Sequence, residues 1–482
     1  MHRALLILLL LAGLGATAPR ARAFTLVGEL PAWFTDNAGL IPPADVYGPV
    51  NLGEEYRWAV PNIVYAFDES FLNYFGQRGV EEVEKAIKII NDLPRMSAVN
   101  LSDYPTHSQR VNYRARDLGM YDLKSNTLKL LMEQLGLGTP SRFVFTLRGR
   151  DTSIPNTTNY LVIQRNFDPE TWTPTPYING QLWTYGRIYD NQDSPTVKAS
   201  TIPTPVDPLI QAEPVASTTP SFAFSAFGIG SYITGLTRDD VGGLRYIYRP
   251  ENRNVEVLPA DATGTAGSGS GSSGGGGGGT IDEWIPLGPI DVPTDPAAGG
   301  GATGGGAVIT TNGVFYPQAI RQGVDKITFV RGPALYQPGG FGFTNRFTET
   351  IVALTTNNTQ RTVNQRVTRT LTVPDIVFTA ADLADVDTSS APWDRTDIAT
   401  SNDAINGQGT LDGPGQFAGT LQIIFNKVGP TLLNTAPSFL GQVNGFAGDV
   451  VWGAFDGTTN DPVVFPLGSS IRDVERIVFG GR

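Results

Sequence analysis

The chain has 482 residues, 40% hydrophobic and 17% charged, a folded-protein balance too long for one ordinary domain of roughly 100–200 residues. It contains no cysteine, which excludes disulfide scaffolds, thiolate metal sites and cysteine nucleophiles, and only two histidines, His2 and His107. A formal net charge of −11 argues against nucleic acid and anionic lipid as partners.

The first residues read as an address. Met1-His2-Arg3 is a basic start, residues 4–14 are an apolar run, and Ala21-Arg22-Ala23 fits the small-x-small cleavage rule. This predicts a signal peptide over residues 1–23 and a secreted or cell-surface protein. Of the 35 basic residues, Arg3, Arg20 and Arg22 lie in that leader, which leaves 32 against 46 acidic ones. No later stretch holds about 18 consecutive apolar residues, so no transmembrane anchor is expected.

Residues 24–258 read as an α+β domain. Ile63-Val64-Tyr65-Ala66-Phe67 is a buried-strand run. Val80, Val83, Ile87 and Ile90 recur at helical spacing, and Glu81, Glu82 and Glu84 stand where the helix dipole favours them. A helix is therefore expected over 79–93, stopped by Pro94. Leu128, Leu131, Met132 and Leu135 share one face of a second helix, 125–135, with Gly136 as its stop. A strand at 143–147 and a Pro/Thr/Ser-rich surface loop at 194–221 follow. Thr237 caps a third helix, 238–248, ended by Pro250.

The second helix ends in Leu135-Gly136-Leu137-Gly138, and the closing run is Leu236-Thr237-Arg238-Asp239-Asp240-Val241-Gly242-Gly243-Leu244-Arg245-Tyr246-Ile247-Tyr248. In this order the elements resemble the matrixin branch of the metzincin metalloproteases, over residues 58–248. The resemblance implies that the second helix stands where that family carries H-E-x-x-H-x-x-G-x-x-H. With the motif glycine on Gly136, the three histidine positions fall on Lys129, Glu133 and Thr139, and the general-base position falls on Leu130. An ammonium is a poor zinc ligand near neutral pH, leucine cannot polarise water, and Glu133 alone cannot hold a catalytic zinc. The family's methionine turn has no counterpart, since residues 222–232 contain no Met. A degenerate protease scaffold without zinc is expected.

Residues 259–307 are built of Gly, Ser, Thr, Ala and Pro, with unbroken glycine at 274–279, and are expected to form a linker. Ile281-Asp282-Glu283-Trp284-Ile285-Pro286-Leu287 is an apolar island within it. Residues 308–482 read as all-β, with short strands at 327–330, 350–354, 421–425, 450–452 and 477–479. Across 362–373, Val363, Val367, Leu371 and Val373 share one parity and Asn364, Arg366, Thr368 and Thr370 the other, the pattern of a half-buried strand. A β-sandwich or jelly-roll-like domain is expected. Its outward Thr and Asn, with Phe341, Phe343 and Trp393 in Gly-rich turns, suit either a surface for sugar or protein or an ordinary exposed sheet.

Other chemistries find few residues. A Ser-His-Asp triad would have to use His107, and no nucleophile elbow stands outside the linker. Carboxylate-pair glycosidase chemistry needs only two acids, which the chain supplies without marking a pair. Calcium is the one metal considered, because Asp382, Asp385 and Asp387 cluster, as do Asp456, Asn460 and Asp461. Neither set follows the EF-hand spacing, and acidic turns in water are the competing account of each. The expected function is that of a secreted, non-catalytic binding or structural protein whose partner is an extracellular protein or polysaccharide, with self-assembly a narrower idea. The alternative is a secreted hydrolase, peptidase or glycosidase, with an unrecognised site. The edge near Val111-Asn112-Tyr113-Arg114 is the place expected to pair with a peptide strand.

Overall fold

The structure is a computed structural model, and it describes residues 24–26, 57–137, 140, 144–151, 153–190, 199–207, 229–259, 261–266, 308–310, 313–333, 335–337, 339–354, 360–372, 374–378, 391–394, 422–426, 429–433 and 451–479. It is mixed α and β, with several small sheets and few helices. No helix among the described residues is long and apolar enough to cross a membrane.

Strand β1 (Asn62–Phe67) is the expected buried run. Helix α1 (Glu69–Asn91) starts ten residues before the expected 79, because Asp68 caps it, its Oδ1 accepting the Phe71 amide at 2.8 Å. Gly76, at φ +60°, breaks the first turns from the rest and hides the periodicity of Phe71 and Phe75 from a linear reading. Strand β2 (Met120–Asp122) leads into helix α2 (Leu123–Gln134), whose Leu128, Leu131 and Met132 are buried as expected. Gly136 ends it at φ +103°, a conformation that favours glycine. Helix α3 (Arg238–Tyr248) carries a full capping box between Thr237 and Asp240. Its Tyr248 hydroxyl donates to the Leu135 carbonyl at 2.8 Å and so fixes α3 against the end of α2.

The remaining strands of the framework are β3 (Arg253–Val257), β4 (Ala262–Ala266), β5 (Gln318–Gln322), β6 (Thr328–Arg331), β7 (Phe343–Leu354), β8 (Gln360–Leu371), β9 (Ile376–Phe378) and β10 (Val451–Ala454). They do not form a sheet set of their own. β1 lies between β6 and β9, parallel to both, with Ile63 opposite Phe329 and Ala66 opposite Val377. β2 pairs in parallel with β10. A five-stranded sheet runs β3-β5-β7-β8-β4, so that strands from before residue 267 close both of its edges. One hydrophobic core holds Trp58, Phe67 and Phe71 together with Phe329, Phe378 and Trp452, and Phe67 stacks on Phe378 at 5.2 Å between ring centroids.

Five expectations are corrected. Residues 262–266, expected in the linker, are strand β4, held by antiparallel pairing to residues 365–369 of β8. Strands after residue 308, expected in a separate β domain, share sheets and core with residues 24–258. Residues 477–479, expected as a strand, are the last turn of a helix, Ile471–Phe479, because Ser470 and Asp473 cap its start and Ile471 and Val474 repeat at helical spacing. Within the expected loop 194–221, Ala199–Pro205 is a strand that pairs with Gln181–Asp190 and tolerates Pro203 and Pro205 at an edge. The expected strand at 143–147 begins instead at Thr146 and runs to Asp151. The apolar island at 281–287 lies outside the described residues.

A ladder of buried ions crosses between the early and late strands. The Arg57 guanidinium pairs with Glu256 and donates to the carbonyls of Ile247, Asn252 and Arg321, each at 3.0 Å. Arg321 forks onto Glu349 at 2.9 and 3.3 Å, and Gln365 donates to the same carboxylate at 2.6 Å. Arg369 grips Asp261 at 3.0 Å through two nitrogens and Asp375 at 2.7 and 3.2 Å, while Asp375 also accepts the Val64 amide at 2.8 Å. Removing one partner of such a pair strands a buried charge. Arg369→Met is expected to lose about 3–5 kcal/mol in denaturant titration, and Arg369→Met/Asp375→Asn to regain at least half of that loss. An unchanged midpoint in the single variant would show that the pair is not buried.

Candidate functional site

Asp122 sets helix α2 in place. Its Oδ2 accepts the Ser125 amide at 2.9 Å and the Ser125 hydroxyl, and its Oδ1 accepts the Phe455 amide at 3.3 Å. The Ser125 hydroxyl in turn accepts the Ile233 amide at 2.8 Å. Full burial raises the Asp122 carboxyl to about 6, against hydrogen bonds that pull it down. Of the positions aligned with the zinc motif, Lys129 is half-buried on α2 and Gly136 makes its stop. Leu130 and Glu133 lie on the same helix with only their backbone described, and Thr139 lies outside the described residues. His107 is exposed, just ahead of the strand Gln109–Val111.

The two acidic clusters fare differently. Asp382, Asp385 and Asp387 lie outside the described residues. Asp456, Asn460 and Asp461 are exposed on one turn, where the Asn460 amide nitrogen donates to Asp456 at 2.8 Å. Asn112 reaches the same turn, donating to Asn460 Oδ1 at 2.8 Å and to the Gly457 carbonyl at 2.7 Å. Asn460 thus turns a donor, not an acceptor, toward Asp456, and its own oxygen is already engaged. Among the described residues no group of three or more His, Cys, Asp or Glu is placed to hold a metal ion. The edge expected to take a peptide is used on one side: the strand Gln109–Val111 pairs with Ser231–Ile233 in a two-stranded sheet, and the amides of Asn112 and Tyr113 donate to Gly230 and Thr458.

The structure instead brings polar residues together on the outer face of the five-stranded sheet. Along β8, Val363, Gln365, Val367, Arg369 and Leu371 are buried, whereas Thr362, Asn364, Arg366 and Thr370 are exposed. The expected parity is therefore present, with Gln365 and Arg369 joining the inner side because the ladder accepts them. β7 alternates in phase, with Thr344, Arg346, Thr348 and Thr350 outward. The register aligns Thr263, Thr368 and Arg346 in one cross-strand row and Thr265, Arg366 and Thr348 in the next. These six residues line a groove of about 500 Å³. Gly264 lets β4 come this close, since a Cβ there would meet the Phe315 ring at 2.7 Å and the Arg366 carbonyl. Among the described residues, Arg346 and Arg366 make no ion pair.

A second feature had no signal in the sequence. Asn179, at φ +47°, stands in a tight turn that Gln181 follows, and their amide groups are buried without a hydrogen-bond partner among the described residues. Beside them the Asn179 backbone amide donates to Asp239, in the first turn of α3, at 2.5 Å. Compared with protein-family models, with curated proteins and with solved structures, the chain gives no match.

Two outcomes test these environments. The folded state binds the Asp122 proton more tightly than the unfolded one, so its contribution is complete below the ordinary value of 3.8 and fades as pH rises through about 6. Wild-type stability is expected to gain about 2 kcal/mol over Asp122→Asn between pH 7.5 and pH 4.5, and a constant difference would contradict the buried carboxyl. For the unpartnered amide, Gln181→Met is expected to raise the unfolding midpoint, by about 1–3 kcal/mol in stability. A lowered midpoint would mean that the amide has a partner.

Proposed function

We propose that this is a secreted binding or structural protein that carries out no catalysis at the α2 positions aligned with the zinc motif and presents the outer face of its five-stranded sheet to an extracellular polymer. The observation that carries this reading is the two-row array, in one groove, of four threonines and two arginines that make no ion pair among the described residues. Hydroxyls and guanidinium groups suit the oxygen-rich surface of a polysaccharide, with the Thr263 hydroxyl serving as an acceptor because it donates to the Thr368 carbonyl at 3.3 Å. The buried ladder beneath holds the strands rigidly, and a preorganised face loses little freedom when it binds.

The matrixin-like frame remains part of the proposal. Its support is the element order β1, α1, α2 and α3, the glycine stop at Gly136 and the capping box of α3. In that frame the ligand positions hold Lys129, Glu133 and Thr139, a set without an imidazole. A sandwich-like arrangement of the late strands is proposed only together with β3 and β4, which close the edges of its main sheet. Calcium keeps a place only as an ion for the cluster at Asp382, Asp385 and Asp387.

Metal analysis of the purified chain is expected to find zinc far below one equivalent, with no chelator-sensitive cleavage of peptides. Glu133→Ala should leave polymer binding unchanged. Stoichiometric zinc with peptide cleavage lost in Glu133→Ala would overturn the reading in favour of a hydrolase.

A further inference from the structure

The groove also indicates the kind of polymer, an inference that rests on the reading above. β4, β7 and β8 together place no carboxylate on their outer face, since Glu349, the one acid in these three strands, points inward to Arg321. In a chain with 46 acidic residues and a net charge of −11, this face therefore carries two positive charges and no negative one of its own. Arg346 lies opposite Thr368 and Arg366 opposite Thr348, so the two arginines are diagonal neighbours. Diagonal positions across an antiparallel pair are roughly 7–8 Å apart. Each guanidinium has threonines beside it in its own cross-strand row.

We infer that the groove binds a uronic-acid polysaccharide, with sugar carboxylates on Arg346 and Arg366 and sugar hydroxyls on Thr263, Thr265, Thr348 and Thr368. A planar guanidinium fork matches a planar carboxylate through two parallel hydrogen bonds. Two such forks side by side suit a chain whose anionic group recurs along its length, in preference to a single small acid. The opposing net charge of the protein limits adsorption of polyanions elsewhere, so binding depends on this local reversal.

The test measures binding of the full-length protein to polygalacturonate, dextran sulfate and dextran by affinity electrophoresis and calorimetry at low and moderate salt. Polygalacturonate is expected to bind best, dextran not at all. Arg346→Ala and Arg366→Ala should each weaken polygalacturonate binding about 10-fold and together about 100-fold, with the unfolding midpoint unchanged. Arg346→Lys/Arg366→Lys keeps the charge without the fork and should recover only part of that loss. Full recovery with lysine, or tighter binding of dextran sulfate, would overturn carboxylate recognition. Dextran binding that Thr348→Val/Thr368→Val abolishes and the arginine variants do not would keep the face as the site and overturn its anionic ligand. Polygalacturonate binding unaffected by any of these variants, or no binding to any probe, would overturn the inference. The broader reading fails separately, through zinc-dependent cleavage.

Discussion

Burial of three guanidinium groups is the constraint on which this structure depends. The side chains of Arg57, Arg321 and Arg369 are 1–2% exposed, and an arginine so placed is tolerated only when its donors meet acceptors. The acceptors come from both ends of the chain. Arg57 needs Glu256 and the Arg321 carbonyl, and Arg369 needs Asp261 and Asp375. Pulling the late strands away from the early ones would leave charges unpaired in a low-dielectric interior. The parallel placement of β1 between β6 and β9 adds hydrogen bonds of the same long range.

The ladder also determines what the surface displays. Side chains alternate along a strand, so a slip of one residue in β8 would carry Arg369 into water and Arg366 into the core. Ion pairs below Arg366 and Thr368 therefore keep those residues outward. The same logic holds for β7, where Glu349 is drawn inward by Arg321 while Thr348 and Thr350 stay outside. Gly264 completes the arrangement by admitting β4 alongside β8. The face is thus a consequence of interior electrostatics.

Local features were legible in the sequence. Helix α3, with its cap at Thr237, and the buried face of α2 follow from spacing and capping within a few residues, which is the range over which such signals act. The alternation in 362–373 was legible for the same reason, up to Val373, which lies outside the described residues. What could not be read was anything that depends on distant partners. Gln365 and Arg369 look like outward residues until Glu349, Asp261 and Asp375 are placed beside them. Arg346 and Arg366 stand twenty positions apart in sequence and are adjacent only through the β7–β8 register. The boundary drawn at 259–307 reflected composition, and composition says nothing about which strands meet across it.

The most direct test of this interlocked framework is to insert a site-specific protease sequence into the glycine run at 274–279, cleave the purified protein and run it on size-exclusion chromatography. The account predicts that the two fragments elute together as one species and separate only on denaturation, since β1, β3 and β4 remain paired with strands from the other fragment. Two folded fragments eluting apart under native conditions would contradict it.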